Sequence, residues 1–466
     1  MDLNNKIKKY IFNNSNKIKI NSKDIKKNDI FLALNGKKYH GNKFLFDAFK
    51  FGAKYCITDK KYKNSKKKEN ILFVENILFV ENIYSYLKNI SVQKRSLFNG
   101  EVIGITGSAG KTSLKEYLSF FLKKKYKVSA SIKSYNNNLG VMISILNMNI
   151  NSNFAIFEIG TNNFNEIRDL TKLVMPSQIF ITNILSTHLE NFKNKKNIAI
   201  EKSDIFKKKY NPNAKKLFFH MNSKEEKIIN SIAKKEKLTT VIKTGKLGLD
   251  CYINFIKDYK SKYQIGLKIL NKKFFFVIDK YENYQINNLI FVLAFCIINK
   301  INTNFIFQKK IKFPKIDGRG AIYKIKINNI NIQLIDQSYN ANPETMLQSI
   351  RNFSNIKNIR YQRILILGQM NELGLDELKF HCLIIKEITQ HVFDDVILSG
   401  DLFKKALKMF PSFKNKFIYK STCKGIMSYL EKNLHKKAMI MTKCSNATEV
   451  NKFVTLLKLE KKDKIV

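Results

Sequence analysis

The chain has 466 residues, 44% of them hydrophobic, so it can bury sizeable cores and is long enough for about three domains. It has no run of 18 or more apolar residues, and its first residues lack the pattern of a signal peptide. The 6 cysteines are scattered without a C-x-x-C pair, which argues against a zinc site or a disulfide framework. We therefore expect a soluble protein of the cytoplasm, without membrane insertion.

The formal net charge of +47 comes from lysine, which is spread along the whole chain rather than gathered in one block. Lysine, asparagine, isoleucine and phenylalanine are abundant together, and these residues share A/T-rich codons. Mutational bias therefore explains the charge more simply than a nucleic-acid partner does, and we expect no such partner. A basic nucleic-acid-binding ATPase stays open as an alternative from another functional class.

Residues 1–97 have the pattern of a small α/β domain. Residues 30–34 form a predicted strand that ends before Gly36, and residues 44–51 have helical spacing up to Gly52.

Residues 102–113, V-I-G-I-T-G-S-A-G-K-T-S, predict a strand, a glycine-rich turn and the start of a helix. Backbone N–H groups of such a turn and the positive end of the helix dipole suit a polyphosphate. Lys111 can neutralise the outer phosphates, and the Thr112 hydroxyl can bind Mg²⁺.

Residues 98–314 are predicted to form a second domain in which apolar strands, for example at 154–157 and 178–183, alternate with helices up to about residue 313. This alternation indicates a parallel, doubly wound sheet, which binds ligands at the carboxyl ends of its strands. Glu158 and His188 follow two such strand ends.

Residues 315–466 are predicted to form a third domain, of the α/β Rossmann-like kind. Its strand-like runs are at 331–336, 363–368, 396–400 and 438–442, with helical patterns between them.

Further segments follow the glycine-rich turn in a fixed order: F-E-I-G-T-N (157–162), T-N-I-L-S-T-H-L-E (182–190), E-K-S-D-I-F (201–206), D-Q-S-Y-N-A-N-P (336–343) and L-G-Q-M-N-E-L-G (367–374). Together they resemble the Mur ligase family of peptidoglycan synthesis, and the likeness covers nearly the whole chain. The first domain resembles the family's uridine-nucleotide-binding domain at Ser22, residues 29–36 and residues 39–41.

The resemblance implies a central P-loop-type ATP-binding domain between a uridine-nucleotide domain and an acceptor domain. It implies ATP and Mg²⁺ as cofactors and an acyl phosphate made by transfer of the γ-phosphate, with ADP and phosphate as products. The motifs favour the branch that joins D-alanyl-D-alanine to a UDP-N-acetylmuramoyl-tripeptide. We expect the protein to act as a monomer.

The resemblance also implies roles for single residues. The expected catalytic residues are Lys111, His188 and Lys202. The expected Mg²⁺ ligands are Thr112, Glu158, His188 and Lys202, the last as a carbamate. The expected ATP contacts are Gly107, Ser108, Ala109, Gly110, Lys111, Thr112, Ser113, Asn288, Arg319 and Asp336. The expected substrate contacts are Ser22, Asn137, Asn138, Thr161, Asn162, Asn340 and Asn342.

The sequence departs from the family pattern at Gln337, Gln369 and residues 443–446, K-C-S-N. Another Mur-type amino-acid ligase stays open as an alternative, although the sequence lacks the D-N-P-R-type motif of the diaminopimelate- or lysine-adding branch. Folate polyglutamation would leave the first domain unexplained. The third residue of the tripeptide, diaminopimelate or lysine, is left open.

Overall fold

A computed structural model describes residues 2–36, 39–62, 75–221, 224–259, 262–279, 285–307, 311–356 and 360–462. These residues form three sheets with intervening helices, and the predicted α/β fold is confirmed. The domain boundaries at 97/98 and 314/315 stay predictions. No helix in the described ranges is both long enough and apolar enough to cross a membrane.

The first sheet has parallel strands in the order β1-β2-β3-β4. They are β1 (Ile18–Lys19), β2 (Asp29–Leu32), β3 (Ala53–Asp59) and β4 (Ile77–Val80). The helices are α1 (Leu3–Asn13), α2 (Leu45–Lys50) and α3 (Ile83–Ser96). Strand β2 is buried on both faces, as expected in a parallel sheet, and it ends two residues before the predicted end at residue 34.

The central sheet has the strand order β13-β12-β11-β10-β9-β8-β5-β7-β6. Its strands are β5 (Glu101–Thr106), β6 (Val128–Ala130), β7 (Phe154–Glu158), β8 (Gln178–Ile181), β9 (Lys216–Met221), β10 (Thr240–Gly245), β11 (Cys251–Tyr259), β12 (Lys262–Ile269) and β13 (Lys272–Asp279). Its helices are α4 (Lys111–Leu122), α5 (Asn138–Leu146), α6 (Glu166–Val174), α7 (Leu189–Phe192), α8 (Lys195–Ser203), α9 (Glu225–Lys235), α10 (Ile286–Ile298) and α11 (Asn304–Phe307).

Strand β5 lies between β7 and β8, and the chain passes first to one side of it and then to the other. The carboxyl end of β5 is therefore a topological switch point, where open α/β sheets bind their ligands.

The predicted alternation of strands and helices up to residue 313 is wrong between residues 251 and 279. Strands β11, β12 and β13 follow one another and pair antiparallel, with a two-residue connection between β12 and β13. Along much of β13, half-buried and exposed side chains alternate, which is the pattern of a strand with one solvent-exposed face.

The third sheet has the order β14-β15-β19-β16-β17-β18, in which β14 alone of these strands pairs antiparallel. Its strands are β14 (Ala321–Ile327), β15 (Ile330–Gln337), β16 (Gln362–Gly368), β17 (Asp395–Ser399), β18 (Ile418–Tyr419) and β19 (Ala438–Lys443). Its helices are α12 (Pro343–Ser354), α13 (Glu377–Thr389), α14 (Asp401–Leu407), α15 (Cys423–Asn433) and α16 (Glu449–Lys462).

One apolar core runs from the first sheet into the central sheet, whereas the third sheet packs its own separate clusters. Lys94 of α3 lies inside the shared core and is fully buried. Its ammonium donates hydrogen bonds to the carbonyl oxygens of Ile11 (2.7 Å), Asn14 (3.0 Å) and Leu146 (2.7 Å). These carbonyls lie at the ends of α1 and α5, where helices leave acceptors without a partner.

We expect Lys94→Met to lower the free energy of unfolding by about 3 kcal/mol, because two buried carbonyl groups and one partly buried carbonyl group lose their donor. Urea denaturation of the full chain measures the change. Lys88→Met is the matched control, because Lys88 is exposed on the same helix; it should change stability by less than about 0.5 kcal/mol. Equal effects of the two substitutions would contradict the role of Lys94.

Candidate functional site

The glycine-rich turn connects the end of β5 to the start of α4. Gly107 and Gly110 have φ angles of +140° and +84°, in the region that favours glycine. A Cβ atom added to Gly107 would lie 1.9 Å from Thr182 Oγ1, so only glycine fits there. The turn thus brings backbone N–H groups to the first turn of α4, where they have no helical partner.

The shape of this turn is set by the segment that follows β8. Asn183 accepts hydrogen bonds from the N–H groups of Ser108 (3.0 Å, to its carbonyl) and Ala109 (2.9 Å, to its side chain). Thr182 Oγ1 donates to the carbonyl of Ala109 at 2.5 Å. Because protein groups hold the turn, it keeps its shape without a ligand.

Lys111 folds back over the turn, and its Nζ donates to the carbonyl of Gly107 at 2.8 Å. Burial lowers the pKa of Lys111, the Glu158 carboxylate opposes this shift, and the Arg319 guanidinium adds to it. The amine therefore lies in a desolvated, positively charged environment that a phosphate group would neutralise.

Thr112 and Glu158 form a pair of hard oxygen groups at the end of β7. Thr112 Oγ1 donates to Glu158 Oε2 at 2.6 Å, and Asn136 Nδ2 donates to Glu158 Oε1 at 2.8 Å. In the described ranges no group of three His, Cys, Asp or Glu residues could hold a metal. One carboxylate and one hydroxyl nevertheless fit Mg²⁺, which takes few protein ligands and completes its shell with phosphate and water oxygens.

His188 and Lys202 lie close to Lys111. His188 Nδ1 is 2.7 Å from Glu372 Oε2 of the third domain. Burial lowers the pKa of His188, Glu372 opposes this shift, and the charges of Lys202 and Lys111 add to it. Lys202 is only 3% exposed, and burial together with Lys111 lowers the pKa of its amine well below the usual value.

A cavity of about 430 Å³ unites the turn with residues from the third domain. The predicted site residues that line it are Ser108, Ala109, Gly110, Lys111, Ser113, Glu158, Thr161, Asn162, His188, Asn288, Arg319, Asn340 and Asn342. The Arg319 guanidinium stacks on Tyr339, 4.0 Å from the ring centroid.

Asp336 is fully buried and is not among the lining residues of this cavity. Its carboxylate accepts hydrogen bonds from the backbone of Gly318 (3.0 Å) and from the Ser338 hydroxyl (2.6 Å), and it pairs with Lys458. In this arrangement Asp336 supports the turn that carries Arg319 rather than facing the cavity.

The predicted substrate residues fall into separate places. Asn340 and Asn342 belong to the cavity, and Asn342 also caps α12 through the N–H of Thr345. Asn137 and Asn138 line a groove between α3, α5 and α6, which Asn162 shares. Ser22 is buried in a turn of the first domain, apart from the cavity.

The sequence prediction missed contacts that join the third domain to the central domain. Glu344 Oε1 accepts from the N–H (3.1 Å) and hydroxyl (2.7 Å) of Ser186 and lies 3.1 Å from Lys195 Nζ. The Tyr339 hydroxyl donates to Ser134 Oγ at 2.7 Å. Glu344 directly follows the motif of residues 336–343, but its partner Ser186 lies 158 residues away in sequence. The local pattern therefore gives no signal for this pair.

The central region matches the family model described as Mur ligase middle domain over residues 105–296. The chain is 28% identical over 451 residues to UDP-N-acetylmuramoyl-tripeptide–D-alanyl-D-alanine ligase of Rickettsia prowazekii, covering 95% of each chain. It is 28% identical over 473 residues to the ligase of that name from Buchnera aphidicola, covering 96% of this chain and 94% of that one. A MurF ligase from Thermotoga maritima, solved in complex with ADP, superposes with a TM-score of 0.76 at 22% identity, covering 97% of this chain and 99% of that chain.

We expect Glu344→Ala to loosen the docking of the third domain and to lower ATP turnover by about tenfold, because charge-assisted hydrogen bonds across the interface are lost. Small-angle scattering should show a larger radius of gyration. Glu431→Ala, at an exposed position in the same domain, is the control and should change neither quantity. Unchanged compactness and turnover in Glu344→Ala would show that the contact does not hold the domains together.

Proposed function

We propose that this chain acts as a member of the Mur ligase family and joins D-alanyl-D-alanine to UDP-N-acetylmuramoyl-tripeptide with hydrolysis of ATP to ADP and phosphate. The observation that carries this proposal is the cavity lined by the phosphate-binding turn, by Glu158, to which Thr112 donates a hydrogen bond, and by third-domain residues. Relatives of that name and nearly equal length support the choice of substrates.

The proposed reaction has two steps. A carboxylate oxygen of the tripeptide attacks the γ-phosphorus of ATP, the bond to the β–γ bridging oxygen breaks, and ADP leaves. The amine nitrogen of the dipeptide then attacks the carbonyl carbon of the acyl phosphate, phosphate leaves, and the nitrogen loses a proton. Both steps depend on positioning and charge neutralisation.

The residues of the chain supply that positioning. Within the turn from Gly107 to Ser113, the backbone N–H groups that Asn183 does not engage would bind the phosphates, and Lys111 would neutralise the oxygens of the transferred group. Mg²⁺ held by Thr112 and Glu158 would neutralise further phosphate charge. Arg319 would approach the nucleotide from the third domain, together with Asn288 at the start of α10.

The proposed division of labour follows the three domains. Residues 1–97 would hold the uridine nucleotide around Ser22, residues 98–314 would bind ATP, and residues 315–466 would bring the dipeptide through Asn340 and Asn342. Closure of the cavity would exclude water, which otherwise hydrolyses an acyl phosphate. One chain carries all these parts and uses ATP, so we propose a monomer that works in the cytoplasm.

Release of phosphate from ATP tests this function when each substrate is omitted in turn. Turnover should require both UDP-N-acetylmuramoyl-tripeptide and D-alanyl-D-alanine, and the nucleotide product should be ADP. AMP as the stoichiometric product would refute the acyl-phosphate route. Turnover with a single amino acid in place of the dipeptide would point to another Mur-type ligase.

We expect Lys111→Ala to reduce turnover by roughly 10²- to 10³-fold, the usual effect of losing one preorganised electrostatic contact. The thermal unfolding temperature should stay near that of the native protein, since the substitution removes a half-buried cation that the Arg319 guanidinium repels. Lys123→Ala, at the exposed end of the same helix, is the control and should keep native activity. Near-native turnover in Lys111→Ala would remove Lys111 from the site.

We further propose that Lys202 carries a carbamate, formed when its neutral amine adds to carbon dioxide and loses a proton. The burial that lowers the pKa of this amine favours the neutral form that reacts. Lys202→Ala should be nearly inactive, and acetate should partly restore its turnover. Lys196→Ala is the control, because Lys196 is exposed on the same helix; it should be active, and acetate should not change its turnover. A fully active Lys202→Ala variant would rule the carbamate out.

A further inference from the structure

Lys443 is a buried cation on the third-domain wall of the cavity. It ends strand β19, in register with Gln337 of β15, at the carboxyl edge where parallel sheets bind ligands. The residue is 6% exposed and lines the cavity beside Gln337 and Asn340. Its side chain therefore faces the space between the two sheets rather than bulk water.

The ammonium of Lys443 has few partners. Its Nζ donates to the carbonyl of Asn340 at 3.3 Å, and no carboxylate of the described residues lies within 4.0 Å of it. An ammonium has three donors, so this long hydrogen bond leaves two for a ligand. A buried charge without a counterion is costly, and the cavity therefore lacks one anionic group at this place.

The charges around Lys443 strengthen this conclusion. Burial lowers the pKa of Lys443 to about 8, and the neighbouring Arg319 guanidinium also lowers it. Arg319 likewise lowers the pKa of Lys111, so the three cations share one electrostatic environment. An anion placed at Lys443 would favour its charged form and relieve this repulsion.

Two ligands of the proposed reaction carry suitable anionic groups, the triphosphate of ATP and the carboxylate of the acceptor. The triphosphate already has a dedicated turn and Lys111 on the central sheet. Lys443 belongs to the opposite sheet, and its neighbours Gln337 and Asn340 are neutral amides of the kind that hydrogen-bond peptide groups. The acceptor must aim its amine at the phosphate-binding turn, which directs its carboxylate toward the third sheet.

We propose that Lys443 binds the terminal carboxylate of the acceptor dipeptide and thereby selects acceptors that end in a free acid. This inference rests on the proposed ligase function and assigns it a specificity-determining residue. A charge-assisted hydrogen bond in a desolvated site would fix the far end of the dipeptide.

The experiment compares D-alanyl-D-alanine with its C-terminal amide at saturating ATP and UDP-N-acetylmuramoyl-tripeptide. The native protein should use the acid about 10- to 100-fold better in kcat/KM, the range for loss of one charge-assisted hydrogen bond. In Lys443→Met the acid and the amide should differ by less than about threefold, and the KM for ATP should stay within about twofold of native. Lys437→Met, exposed just before the same strand, should keep the native preference.

Each contrary result has a separate meaning. A native protein that uses the amide as well as the acid overturns the proposal while the ligase function stands, and this comparison needs no variant. A Lys443→Met variant that keeps the preference, or that raises the KM for ATP instead of that for the dipeptide, overturns it as well. If Lys443→Met does not fold, Lys443→Gln removes the charge and allows the same comparison. Absence of turnover with both acceptors refutes the ligase function itself.

Discussion

Positive charge buried between the central and third sheets is the constraint on which the rest of the site depends. Lys111, Lys202 and Lys443 are desolvated, and Arg319 adds a guanidinium to the same region. Such cations repel one another strongly in a cavity of low dielectric constant. Phosphates and carboxylates of the substrates would supply the missing negative charge. Bound anions would offset the repulsion between these cations. Substrate binding would therefore favour docking of the third sheet, and docking would in turn raise the affinity for substrate.

The contacts between the two sheets reach the same loops that carry the chemistry. Glu344 binds Ser186, two residues before His188, and Glu372 binds His188 itself. Tyr339 binds Ser134, in the loop whose Asn136 holds the Glu158 carboxylate. Movement of the third domain would therefore disturb the orientation of the imidazole and of the carboxylate together. The geometry of the site and the docked position of the third domain therefore depend on the same contacts.

The sequence predicted the parts of the structure that short stretches of chain determine. The existence of the turn around Gly107 and its position after an apolar strand follow from local pattern, although Thr182 and Asn183, far along the chain, hold its shape. The alternation of strand-like and helical segments predicted the α/β class. It did not predict the antiparallel pairing of β11, β12 and β13, because a hydrophobic pattern distinguishes strands from helices but does not show which strands pair. The roles of Lys94, Glu344 and Lys443 depend on partners that are distant in sequence. Among so many lysines, no local signal indicated that Lys94 and Lys443 are buried.

The buried ammonium of Lys94 bears on the size of peptide that can react. It ties the ends of α1 and α5 together within an apolar core common to the first and central sheets, so these two parts pack against each other through one core. In the proposed division of labour the uridine end of the donor lies in one part and the phosphate-binding turn in the other, so the protein would set the span that the donor must bridge. A peptide one residue shorter would fall up to about 3.5 Å short, and a longer one would have to buckle. With the donor bound in this way, the fixed distance across this half of the molecule would select donors by peptide length.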